Sequence, residues 1–375
     1  MYVSELSLHN FRSYGEVSVG LVPGINVLIG TNGQGKTNLV EALGYLSTFS
    51  SHRVSADLPL IRSDCDFATV KAVVVDDGRS VTAEIDIIPG KTNKARLNGN
   101  AVPKARDILG ALLTVTFAPE DLMLVKGDPS ERRKFMDETL TLLTPSFAGV
   151  RSDLDRILRQ RNALLKSAYG KHNNVDIMRT IDVWDTNLAS VGAVVMHQRM
   201  NLIETIRPYV SNAYLTVSED RGPFELTYET KLEVSQSVPS VDLLEAALLE
   251  SLSRRRKDEI DRGVTLVGPH RDELDLQLRG LPVRGYASHG ESWSTALALK
   301  LGVFALLRDV SRHGDPVLIL DDVFAELDEG RRAKLVQQIR DSEQTIITAA
   351  VAGDVPEELV GARFDVHEGV VTRVS

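Results

Sequence analysis

Gly30-Thr31-Asn32-Gly33-Gln34-Gly35-Lys36-Thr37 matches the pattern G-x-x-x-x-G-K-[ST], and its flanks are those the pattern requires. The apolar run at 25–29 predicts a strand before it, and 37–46 predicts a helix after it. A strand, glycine turn and helix in that order aim backbone N–H groups and the positive end of a helix dipole at a phosphate. In such a loop Lys36 reaches the β and γ phosphates and the Thr37 hydroxyl ligates Mg²⁺. The whole stretch, Gly30, Thr31, Asn32, Gly33, Gln34, Gly35, Lys36 and Thr37, is therefore the candidate contact for ATP with Mg²⁺. A mere glycine-rich turn is the weaker explanation, because both flanks are present.

A magnesium nucleotide also needs a carboxylate on a neighbouring strand. Val317-Leu318-Ile319-Leu320-Asp321-Asp322 gives an apolar run followed by two acids, a Walker B pattern. Asp321 is expected to hold Mg²⁺ with Thr37, directly or through water, and Asp322 to orient or deprotonate the attacking water. Alone, such a run is as often a buried strand leading to a turn; the glycine loop decides between the two. Thr37 and Val317 lie near opposite ends of the chain yet must serve one nucleotide. Everything between them is thus inserted into one sheet, and the two ends fold into one head.

Further out, the composition is that of an ordinary globular chain. It has 375 residues, 43% hydrophobic and 25% charged, with a net charge of −9. At roughly 150 residues per domain this predicts two or three domains. No segment approaches the ~20 apolar residues that cross a bilayer, and the opening Met1-Tyr2-Val3-Ser4-Glu5 is unlike a signal peptide, so a cytoplasmic protein without a membrane partner is expected. A single cysteine, Cys65, excludes an internal disulfide. The acidic balance restricts any polyanion site to a local basic surface.

The first 120 residues read as strand-rich. Val3, Leu6, Leu8 and Phe11 open a strand, and 80–88 alternates with a period of two between the turn signals Asp77-Gly78 and Asn98-Gly99. After Pro129 the spacing changes to threes and fours, through Leu154, Ile157, Leu158, Leu164 and Leu165 and then Trp184, Leu188, Val191, Val195, Leu202 and Ile206. Two long helices joined at Gly170-Lys171-His172-Asn173-Asn174 are expected, forming an arm too short for a coiled coil. Segments 214–217 and 224–228 read as strands and 241–261 as a helix, with α/β patterning resuming from Val264.

Ala287-Ser288-His289-Gly290-Glu291, at the start of a helix and shortly before the Walker B run, looks like the signature motif of ABC-type ATPases. Phe324-Ala325-Glu326-Leu327-Asp328 resembles the D-loop that follows Walker B. Three further stretches resemble the RecF family of recombinational repair, short-armed relatives of the SMC ATPases. They are Pro119-Glu120-Asp121 through Leu124-Val125-Lys126-Gly127-Asp128-Pro129 to Arg132-Arg133-Lys134-Phe135-Met136-Asp137, then Gly268-Pro269-His270-Arg271-Asp272-Glu273-Leu274, and the opening Asn10-Phe11-Arg12-Ser13-Tyr14 shared with SMC heads.

That resemblance implies an α/β fold: an ABC/SMC-type P-loop ATPase head with an inserted, mainly helical arm domain. The head is expected from 1–125 and 262–375 and the arm from 126–261. It implies an ATP-dependent DNA-binding protein that dimerises around two nucleotides, with Arg12, Ser288, Gly290 and Glu291 added to the nucleotide contacts. Such proteins act at single-strand gaps and junctions of single and double strands, with RecR and RecO, to help load RecA in replication and the response to DNA damage. Asp322 stands where transporters carry Glu, one methylene shorter, so slow, weak, DNA-stimulated hydrolysis is expected. His289 stands where Gly is more common, and neither a switch histidine after Walker B nor a Q-loop Gln near Pro119-Glu120-Asp121 is apparent.

For DNA, the candidate phosphate contacts are Arg53, Arg151, Arg156, Arg159 and Lys166, with Arg161 and Lys171 in the same basic run. Arg132-Arg133-Lys134 and Arg254-Arg255-Arg256-Lys257 are further basic clusters that acids nearby can neutralise. His270 and Arg271 fit either a domain junction or the nucleotide face. The competing function is an ABC-type ATPase subunit coupled to a transporter or to an SMC-like nuclease or architectural complex.

Overall fold

The computed structural model describes residues 1–170, 174–218, 222–234, 236–311 and 314–374. In chain order, strands β1 (Tyr2–Phe11), β2 (Tyr14–Gly20) and β3 (Gly24–Ile29) lead through the glycine loop into α1 (Lys36–Thr48). Then come β4 (Ala68–Asp76), β5 (Arg79–Ile87), β6 (Lys94–Leu97), β7 (Asn100–Ala101), β8 (Thr114–Phe117) and the single turn α2 (Met123–Lys126). The middle of the chain holds α3 (Pro129–Leu143), α4 (Phe147–Ser167), α5 (Val175–Val217), β9 (Phe224–Glu229), α6 (Val241–Arg262), β10 (Glu273–Leu278) and β11 (Leu281–Pro282). The last part holds α7 (Val283–Tyr286), α8 (His289–Val310), β12 (Val317–Asp321), α9 (Val323–Glu326), α10 (Glu329–Ile339), β13 (Gln344–Ala349), β14 (Ala362–His367) and β15 (Val370–Arg373).

The chain divides into two compact units. One comprises Met1–Lys126, Pro208–Pro223 and Val283–Ser375; the other comprises Gly127–Arg207 and Phe224–Pro282. These differ from boundaries at 126 and 262. The second unit runs on through β10 because that strand pairs along its length with β9, Leu274 opposite Tyr228 and Leu278 opposite Phe224. Both ends of the chain lie in the first unit.

The first unit contains two sheets. In the antiparallel one the order is β2-β1-β4-β5-β6-β7. Asp77-Gly78 and Asn98-Gly99 turn its hairpins with positive φ at all four residues, the conformation that favours these dipeptides. The second sheet has the order β15-β14-β3-β13-β12-β8 and is parallel apart from β15. Every residue of β12 and β13 is buried, as their apolar sequences demand in a sheet covered on both faces. β13 separates β3 from β12, and Asp321 lies opposite Thr348 while Ile29 lies opposite Ala349. The strand preceding the glycine loop and the strand ending in Asp321 therefore reach the same edge, the carboxyl edge where ligands of parallel sheets bind.

The second unit is mainly helical, with the small sheet β11-β10-β9. Leu165, Ala168, Ile181 and Ile260 form a buried cluster within it. Residues 214–217, expected as a strand, are instead the last turn of α5. Leu202, Ile206, Val210, Tyr214 and Val217 are all buried and continue one helical face, so the three-to-four spacing simply persists. Lys171, His172 and Asn173 of the expected interhelical turn lie outside the described residues. Among the described residues, no helix is long and apolar enough to cross a membrane.

Candidate nucleotide site

The glycine loop is shaped by its neighbours. Gly33 and Gly35 have φ of 87° and 106°, a region a side chain resists. A Cβ on Gly35 would collide with the Tyr14 hydroxyl, and one on Gly30 with the carbonyl of Val366. Tyr14 is buried beneath the loop without a hydrogen-bond partner for its hydroxyl among the described residues, and burial pushes its pKa up to about 12. Gln34 Oε1 accepts from the N–H of Glu368 at 2.5 Å, tying the loop to the turn after β14.

Thr37 and Asp321, so distant in the chain, meet here. The Thr37 hydroxyl donates to Asp321 Oδ1 at 3.1 Å, and the Thr348 hydroxyl donates to the same oxygen at 2.6 Å. Thr348 Oγ1 in turn accepts from the backbone N–H of Asp322 at 2.9 Å. Asp322 adopts a left-handed conformation, φ 51°, uncommon for a residue with a side chain, at the start of α9. Burial raises its pKa, against the opposing charge of Lys36 and with the help of Asp321. Lys36 is itself 3% exposed and donates to the carbonyls of Gly30 at 2.7 Å and Thr31 at 3.4 Å.

Arg12 is held against α1. Its Nε and Nη2 donate to the two oxygens of Glu41 on α1 at 2.8 and 2.5 Å, and Nη1 donates to the Pro59 carbonyl. Glu41 is fully buried; desolvation pushes its carboxyl up, but Arg12, Ser51 and Arg53 together hold it below the usual range. Arg53 also donates to Asn38 Oδ1 at 2.9 Å.

Ser288 caps α8. Its Oγ accepts from the N–H of Glu291 at 3.2 Å while Glu291 Oε2 accepts from the N–H of Ser288 at 2.7 Å, a reciprocal capping box. Gly290 lies against the Arg331 guanidinium, which a Cβ there would push aside. His289 Nε2 accepts from Trp293 Nε1 at 3.1 Å, so the ring packs back on its own helix. Asp121 accepts from the Ala118 N–H at 2.9 Å and from Lys300 at 2.9 Å.

Several basic residues are committed internally. Arg161 is fully buried, and the basic run loses it as a surface contact. Arg132 chelates Glu273, and His270 and Arg271 donate toward or contact the Thr265 carbonyl within the second unit. Arg254, Arg255 and Arg256 pair with Glu250, Asp258, and Asp182 and Asp185. Arg151 is half-buried, 3.9 Å from Asp137, and Arg156 pairs with Asp153 on the surface. Arg159 and Lys166 are exposed.

Sequence reasoning passed over Thr348, His52 and Tyr14 as parts of the site. The one mark of Thr348 is a polar residue next to the last position of β13, after Ile346-Ile347, as Asp321 follows the apolar run of β12. His52 Nε2 lies 3.8 Å from Asp321 Oδ2 and is buried.

A phosphate loop and a Walker B carboxylate separated by one intervening strand, beside an antiparallel sheet and a helix opening on Ser288, define a P-loop ATPase head of the ABC/SMC type. The family model for the RecF/RecN/SMC N-terminal domain matches residues 2–363. The chain is 50% identical over 377 residues to the DNA replication and repair protein RecF of Streptomyces avermitilis, covering 100% of both chains. It is 51% identical to that of Kineococcus radiotolerans over 379 residues, 97% of each. Among solved structures, a recombination mediator protein RecF-ATP complex of the RecFOR pathway superposes with a TM-score of 0.90 at 28% identity, covering 100% of this chain and 98% of the other. An Smc head bound to the C-terminal winged-helix domain of ScpA shares the fold, with a TM-score of 0.54 at 18% identity and 100% and 97% coverage. The chain belongs to the RecF family.

Proposed function

We propose that this protein is an ATP-switched DNA-binding protein of recombinational repair and replication restart, in which ATP joins two copies of the chain around two nucleotides. The convergence of Thr37, Asp321 and Thr348 beside the glycine loop carries the reading, since residues from opposite ends of the chain form one hydrogen-bonded set there. The relatives named as DNA replication and repair proteins, and the solved RecF structure named with ATP, support it.

The donor set fits Mg²⁺: Thr37 Oγ1 and Asp321 Oδ1 are hard oxygens 3.1 Å apart, one neutral and one anionic. Thr37 and Asp321 would hold the ion, which supplies charge neutralisation for the β and γ phosphate oxygens. Lys36 exchanges its loop carbonyls for phosphate oxygens, and the loop N–H groups bind the remainder. Asp322 takes the proton of the attacking water, and its short side chain keeps hydrolysis slow. Ser288 Oγ accepts from Glu291, which leaves its own proton for the γ phosphate held by the other copy, and the N-terminal end of α8 joins it. Gly290 and Glu291 shape that cap. Arg12 positions α1 and the segment after it through Glu41.

Closure of the two heads presents basic residues to DNA at single-strand gaps and junctions, with Arg53, Arg151, Arg156, Arg159 and Lys166 meeting backbone phosphates. RecR and RecO are the expected protein partners, and RecA loading the downstream outcome. Gel shifts with gapped and blunt DNA, at two salt concentrations and with or without ATP, test this. ATP-dependent binding that favours gapped DNA and weakens with salt is expected, and Lys36→Ala should remove the ATP dependence. Binding that ignores ATP in the wild-type protein would overturn the switch.

A further inference from the structure

His52 lies in the segment following α1 and takes no part in the functions assigned above. Its Nε2 is buried with no hydrogen-bond partner among the described residues, and it faces Asp321 Oδ2 at 3.8 Å. That gap is too long for a direct hydrogen bond. A buried ring nitrogen left unpaired is costly, so a hydrogen-bond donor beside it would be stabilising. The other Asp321 oxygen already accepts from Thr37 and Thr348.

The segment carrying His52 is held in place. Ser51 Oγ donates to buried Glu41 at 2.5 Å and accepts from the N–H groups of Arg53 at 2.9 Å and Val54 at 3.2 Å. Arg12 and Arg53 fix Glu41 in turn. The imidazole is thus presented to Asp321 by a chain of bonds anchored on α1.

We propose that His52 is a positioning residue for the metal: its Nε2 accepts a hydrogen bond from a water of the Mg²⁺ shell that Asp321 Oδ2 also holds. A water lying to one side of the 3.8 Å line makes hydrogen bonds of ordinary length to both groups. Mg²⁺ dehydrates reluctantly and keeps several waters, so such a partner comes with the ion. The proposal rests on the reading of the glycine loop as an ATP site.

The test uses the full chain, Mn²⁺ followed by electron paramagnetic resonance in the presence of adenylyl imidodiphosphate, and a fluorescent ATP analogue in EDTA. His52→Phe keeps the ring volume and removes the nitrogen; it should raise the Mn²⁺ half-saturation about tenfold, the size seen when outer-shell partners are lost. Its metal-free nucleotide affinity should stay within about twofold of wild type, showing an intact loop. His52→Gln returns an acceptor at the reach of Nε2 and should restore most of the metal affinity. An unchanged Mn²⁺ half-saturation in His52→Phe, failure of Gln to restore it, or an equal loss of nucleotide affinity in EDTA would overturn the assignment. If the wild-type chain binds no nucleotide in either assay, the ATP reading itself fails, an outcome distinct from these.

Discussion

Arg161 in the second unit and Lys36 in the first are both buried cations, completed in different ways. All three guanidinium nitrogens of Arg161 have partners: Asp185 at 2.8 Å, Thr265 at 2.9 Å and Glu259 at 2.5 Å. Arg199 repeats the pattern with Asp137 and the Pro269 carbonyl. Lys36 has the carbonyls of its own loop, His52 Nε2 has no partner among the described residues, and Asp322 sits half-buried with a raised pKa. Buried charge that its neighbours satisfy holds a fold together, whereas buried charge left incomplete is a site prepared for a ligand.

Arg161→Ala is the harshest challenge to that contrast. It leaves buried Glu259 without its cation, while Asp185 keeps Arg256, and a loss of about 3–5 kcal/mol is expected in urea denaturation followed by circular dichroism. A loss under ~1 kcal/mol would mean the second unit tolerates open charge as readily as the first. Lys36→Ala should behave in the opposite sense. Nucleotide affinity falls about a hundredfold, close to 3 kcal/mol, measured by fluorescence titration. The urea midpoint barely moves, because no buried partner is left unpaired.

The second unit also buries two titrating neighbours whose effects oppose one another. Burial raises Asp272 to about 6 and lowers His270 to about 4. Between its unfolded value and about 6, Asp272 binds its proton more tightly in the fold, so its contribution to stability is lost as pH rises. His270 binds its proton more tightly in the unfolded chain, so its contribution grows as pH rises from about 4. Wild type should therefore show a shallow pH dependence across this range. Asp272→Asn should leave a chain that gains stability with rising pH, and His270→Gln one that loses it; thermal melts across the range distinguish the two slopes. The smallest effect is Ser288→Ala, which removes the cap of α8 and should cost about 1 kcal/mol.

Much of this contrast was legible in the residues and some was not. The glycine loop, the run ending in Asp321-Asp322 and the Asp77-Gly78 and Asn98-Gly99 turns carry local signals, each set by a few neighbouring residues. Strand order carries none. That β13 lies between β3 and β12, delivering Thr348 to Asp321, depends on pairing across distant sequence. The division into units depends likewise on β9 pairing with β10. Residues 214–217 have apolar β-formers that suit a strand, and the helix wins because α5 keeps its buried face through them. Arg161 looks like its exposed neighbours in a basic run; its burial follows from Glu259 and Thr265, which are remote in sequence.

The proposed switch makes half of each nucleotide site belong to a second copy, and sedimentation velocity reads this directly. With saturating ATP and Mg²⁺ the wild-type chain should sediment as a dimer, and Ser288→Arg, which still binds nucleotide, as a monomer. A wild-type monomer under those conditions, or a Ser288→Arg dimer, would contradict the account.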